Sequence, residues 1–171
     1  MRNLVSYFQI KDGASMLADN IVVQEYHRHR YPYILIDSFD FIEPGKSAHG
    51  YKFFSENEWL FHCNCNENQP YPFTMLIEVL TEAFLMPILM LDDNKGKITN
   101  FISADDCHVY SDVYPGCRMD IEVEVKSWKR GIASGYAKGT IDGHIVCDAK
   151  LKFVIPDIMN RFKPKLIGDV S

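Results

Sequence analysis

FTMLIEVLTEAFLMPILML, residues 73–91, is the stretch on which the fold turns. It is almost continuously apolar over about 19 residues, too long for one strand and suited to a helix buried on most sides. Pro72 stands just before it, where a missing N–H costs nothing. Thr81 and Glu82 make a short polar break, and Pro87 is expected to kink or shorten the last turns. DDNKGK (92–97) ends the element. One residue is out of place: Glu78 sits where a helix normally buries leucine, and an acid there is costly unless it is used or paired.

Outward from this helix the chain reads as strands. YPYILIDSFDFI (31–42) is rich in β-branched and aromatic residues and predicts a strand; EPGKS turns it into a returning strand, AHGYKFFS. Residues 57–72 form a polar loop closed by two prolines. After the helix come ITNFISADDCHVY, then CRMDIEVEVKSW with period-two alternation, KRG, IASGYAKGTI, the hairpin signal Asp142-Gly143, and HIVCDAKLKFVI. One long helix among about six strands, with a three-strand meander at the end, is an α+β plan. We divide the chain into an N-terminal extension (1–23), one domain (24–156) and a C-terminal tail (157–171).

Composition narrows the class. With 47% hydrophobic and 24% charged residues in 171, the chain is that of a globular domain rather than a disordered one. A formal net charge of −5, with no basic cluster beyond RFKPK (161–165), argues against nucleic acid as a partner. Met1–Leu17 has no sustained apolar region, and no segment approaches the ~20 apolar residues of a membrane span. Cys63, Cys65, Cys107, Cys117 and Cys147 are odd in number and irregular in spacing, so a reduced, cytoplasmic setting is expected. Cys63, Cys65 and His62 lack the second ligand pair of a zinc site, so free thiols are expected there and no metal.

Several segments together carry a resemblance. HRYPYILID (29–37), IEPGK (42–46), NEWLF (57–61), VYPG (113–116), Arg130-Gly131 and DGHIVCDAKL (142–151) follow one another in the order typical of hotdog-fold 3-hydroxyacyl-[acyl-carrier-protein] dehydratases, the FabA/FabZ group. The resemblance covers about residues 24–156. It implies a single hotdog domain, a curved antiparallel sheet wrapped around one long helix. It also implies a homodimer or trimer of dimers, an acyl-thioester substrate on acyl carrier protein or coenzyme A, and no cofactor. In such proteins a loop histidine and a helix carboxylate meet across the dimer interface. The helix's first amides polarise the thioester carbonyl.

In that register Glu78 falls on the family's acid, and Asn64 falls where the histidine belongs. Cys63, Cys65, Asn66 and Glu67 replace its neighbours, Phe73 replaces the helix-opening glycine, and Glu82 replaces a glutamine. A histidine of pKa near 6.5 suits the removal of a Cα proton, whereas an amide only donates and accepts hydrogen bonds. Three readings stay open. His62 supplies the base through a longer loop; or Asn64 and Glu78 serve a thioesterase, with the amides of Phe73 and Thr74 as oxyanion donors; or the chain binds a carrier protein or dimerises with an active paralogue, with little catalysis of its own. Tyr71 and Phe73, flanking Pro72, are candidate tunnel residues. His62 also reads as a strand-end histidine, and His27, Arg28 and His29 as surface and strand-entry residues.

Overall fold

The computed structural model describes residues 17–62 and 69–162. Its strands are β1 (Ala18–Asp19), β2 (Ser38–Glu43), β3 (Ser47–Phe53), β4 (Asn100–Val109), β5 (Arg118–Lys129), β6 (Ile132–Ile141) and β7 (His144–Val154). The helices are α1 (Asn20–Tyr26), α2 (Phe73–Leu89) and α3 (Pro156–Met159). All seven strands join one sheet in the order β1-β2-β3-β5-β6-β7-β4, every pair antiparallel. The connection from β3 to β4 carries the chain past β5, β6 and β7 to the far edge, and α2 is laid across one sheet face along the way. This is the α+β hotdog plan the sequence implied.

The turns explain the hairpins. Arg130 and Gly131 have φ of 50° and 82°, and Asp142 and Gly143 have 50° and 78°. Two successive left-handed residues match the right-handed twist of the flanking strands. The meander β5-β6-β7 then presents alternate residues to the helix: Met119, Ile121 and Val123, then Ala133 and Ala137, then Cys147, Ala149, Leu151 and Phe153, all buried. Gly135 lies beneath Phe84; a Cβ there would stand 2.6 Å from the Phe84 ring and 2.1 Å from the Glu124 carbonyl oxygen. That space is what lets α2 rest so close to the sheet.

α2 is two residues shorter than the apolar run and continues through Pro87 before ending at Leu89. From Val79 to Leu89 every residue is buried, and this includes Thr81 and Glu82, which the sequence read as a polar break. The first strand also differs from expectation. Only residues 38–42 of the 31–42 run are paired, as part of β2, and residues 27–37 cross irregularly towards α2 with Leu35 and Ile36 buried. The physical reason is a competing acceptor: the Leu35 N–H donates to the Glu82 carboxylate at 2.7 Å instead of to a strand. Residues 18–26, split in the sequence reading between extension and domain, add β1 to the sheet edge and bury Ala18 and Val23 in the common core.

Candidate active site

Glu78 projects from the first half of α2, half-buried, and accepts a hydrogen bond from the Thr81 hydroxyl at 2.9 Å. The same hydroxyl donates to the Glu78 carbonyl at 2.8 Å, so Thr81 ties side chain and backbone together. One turn on, Glu82 is 1% exposed. Its Oε2 accepts the Leu35 N–H, and its Oε1 lies 2.9 Å from His29 Nδ1. Burial pushes the Glu82 carboxyl upward, while the bonds from His29 and Leu35 pull it back. His29 is raised above 6.5, first by its hydrogen bond to Glu82, with the charges of Glu82 and Glu78 adding.

The sequence placed His27, Arg28 and His29 on the surface, and this is corrected for both histidines. His29 is half-exposed but bonded to the helix. His27 is 3% exposed, and burial, with His29 beside it, holds it down at about 3, so it stays neutral. Nothing local announced this pairing, because His29 and Glu82 are 53 residues apart. The available signals were the HRYP segment and the i,i+4 spacing of Glu78 and Glu82, which puts both carboxylates on one helix face.

Donor atoms of His29, Glu78 and Glu82 lie within 4.8 Å of one another, close enough to converge on one ion. Both Glu82 oxygens are already engaged with N–H groups. Beside this cluster opens a pocket of about 260 Å³, walled by Leu85, Leu89 and Ile98, with Arg28 and Lys97 also lining it and His29 at its side.

Asn64, with Cys63, Cys65, Asn66 and Glu67, lies outside the described residues. The chain on either side of that loop is firmly held. Tyr71 packs edge-on against Phe54 and Phe61 at centroid distances of 4.8 and 5.3 Å. Lys52, 4% exposed, bonds Glu58 at 3.0 Å with its ammonium over the Phe54 and Tyr71 rings. The Tyr71 N–H donates to the Val113 carbonyl at 2.7 Å, which binds the VYPG loop to the helix entrance.

His62 ends the 3-10 turn Trp59–Phe61, and its Nε2 lies 2.6 Å from the Glu56 carbonyl oxygen. It makes no hydrogen bond or ion pair with Glu78 among the described residues. Phe73 and Thr74 are exposed at the start of α2, where Pro72 offers no side-chain cap. Tyr71 is buried, whereas Phe73 is 66% exposed. Cys107, Cys117 and Cys147 are free thiols.

A family model described as the FabA-like domain matches residues 28–150. The chain belongs to the FabA-like family. Its relatives include the 3-hydroxyacyl-[acyl-carrier-protein] dehydratase FabZ of Bacillus velezensis, 30% identical over 139 residues that cover 81% of this chain and 99% of the relative. The FabZ of Roseiflexus castenholzii is 35% identical over 127 residues, covering 74% and 89%. Among solved structures, the dehydratase heterocomplex ApeI:P from Xenorhabdus doucetiae has a TM-score of 0.67 at 14% identity and covers 81% of this chain and 95% of its own. A hypothetical thioesterase with coenzyme A from Streptococcus pneumoniae has a TM-score of 0.54 at 11% identity, covering 68% and 83%. At such identities these two show a common fold. The FabA-like match spans the segments that carried the resemblance to within one residue, and α2 with Glu78 lies inside it.

Proposed function

We propose that this protein processes 3-hydroxyacyl thioesters as a FabZ-like dehydratase, on chains carried by acyl carrier protein, in fatty-acid or polyketide-type synthesis. The observation that carries the reading is Glu78. It is a carboxylate in the half-buried first half of a largely apolar helix, held by Thr81. In this reading Glu78 gives the departing hydroxyl its proton, and the amides of Phe73 and Thr74 face the thioester carbonyl. Tyr71 and Pro72 shape the entrance.

A homodimer is part of the same proposal. β4 is the sheet's long free edge, and Phe101 and Ile102 on it are 55% and 45% exposed. An unpaired edge of that length with exposed apolar residues at one end invites pairing with a second copy. Among the described residues no helix is long and apolar enough to cross a membrane, which fits the cytoplasmic setting in this reading.

The test is turnover of 3-hydroxyacyl, enoyl and saturated acyl thioesters on carrier protein and on coenzyme A. Hydration and dehydration are expected, with Glu78→Gln lowering kcat by about 10²–10⁴-fold, the usual contribution of a positioned acid. Thiol release lost in Glu78→Gln, without hydration, replaces this reading with a thioesterase. A chain that binds acyl carrier protein and turns over none of these is a non-catalytic subunit.

A further inference from the structure

We propose that His29 is the catalytic base of this site, oriented by Glu82, in place of the histidine that Asn64 displaces. The assignment rests on the dehydratase reading above and adds to it the residue that takes the Cα proton.

Three observations meet at His29. Its Nδ1 lies 2.9 Å from Glu82 Oε1, which leaves Nε2 as the other ring nitrogen. With Nδ1–H donated to the carboxylate, Nε2 carries the lone pair, the arrangement in which a buried acid orients a general base. Second, Glu78 and His29 belong to one cluster of donor atoms within 4.8 Å, so acid and base stand in a single protomer. Third, His29 lines the pocket walled by Leu85, Leu89 and Ile98, apolar residues that suit an acyl chain, with the cations Arg28 and Lys97 beside them. His62, the alternative base, has its Nε2 against the Glu56 carbonyl.

The chemistry balances. His29 Nε2 takes the Cα proton, the C2–C3 double bond forms and the C3–O bond breaks. The hydroxyl leaves as water with a proton from Glu78. The imidazolium then returns its proton to the Glu78 carboxylate, and the enoyl thioester is released. Glu82 is a positioning residue and neither gains nor loses the proton overall.

The charged and titratable groups around His29 are Glu82 and Glu78 on α2, His27, Arg28 and Arg30 on its own segment, and Lys97 across the pocket. The test compares wild type with His29→Gln and Glu82→Gln in the hydration assay across pH. Glutamine at 82 keeps an oxygen for the Leu35 N–H, and circular dichroism confirms folding of each variant.

The expected result is a fall in kcat of about 10²–10⁴-fold in His29→Gln. The acid limb of kcat/KM is expected above pH 6.5 in wild type, and at lower pH in Glu82→Gln, because the carboxylate that favours the imidazolium is gone. An active wild type whose His29→Gln variant keeps its kcat overturns this assignment alone. An unmoved limb in Glu82→Gln overturns it even where His29→Gln is inactive. A wild type that turns over no thioester overturns the assignment and the dehydratase reading together.

Discussion

His27 and His29 stand two residues apart and respond to protons in opposite directions. His27 is buried with a second imidazole beside it, ring centroids 6.1 Å apart. Its pKa falls from 6.5 in the unfolded chain to about 3 in the fold, so protons bind the unfolded chain more tightly. The stabilisation is therefore complete above pH 6.5 and is lost as pH falls towards 3. Between pH 7 and pH 4 the loss is about 3 kcal/mol from this residue. His29, raised by Glu82, contributes below pH 6.5 and loses that contribution as pH rises through its folded value. Urea unfolding from pH 7 to 4 checks the first effect: wild type is expected to weaken by about 3 kcal/mol more than His27→Leu over that interval. Equal slopes in the two proteins would sink it. Neither behaviour was legible in HRHRYP, where four consecutive basic residues look like a solvated face. Their fates divide only because residues 27–36 run against α2.

At the scale of elements, the sequence was read best where the signal is local. The period-two alternation of β5, the Asp142-Gly143 hairpin and the apolar run of α2 all appear close to where they were expected. The misread element is residues 31–37, whose β-branched and aromatic composition suits a strand but whose Leu35 N–H is taken by a side chain from the helix. Propensity describes a residue's preference for a pleated surface; it says nothing about a buried carboxylate arriving from 47 residues away.

The sheet and helix meet most tightly at Gly135, and this sets a prediction. Because the nearest obstacle to a Cβ is the Glu124 backbone oxygen, relaxation needs a strand to move. Gly135→Ala is expected to cost about 1–3 kcal/mol or more in denaturant unfolding, the range for an overpacked core. Gly143→Ala, with open space around its Cβ, meets only the left-handed backbone at φ 78° and is expected to cost less. The reverse order would show that α2 sits further from the sheet.

For the whole molecule, the decisive arrangement is one helix across one sheet with β4 left at the edge. If β4 pairs with a second copy, wild type sediments at twice the monomer mass, and Ile102→Lys shifts it to monomer without unfolding it. A monomeric wild type at micromolar concentration removes the edge-pairing proposal.

The sequence by itself determined the class of fold, the helix and its acid Glu78, and the family. Each of these is written in periodicity, turn chemistry or motif order within short windows. Only the tertiary structure decided that Glu82 is buried, that His27 is neutral, and that His29 reaches across to the helix. Those facts depend on which distant segment covers α2, and a side chain's protonation and bonding follow from the burial and charges that fold around it, not from its neighbours in the chain.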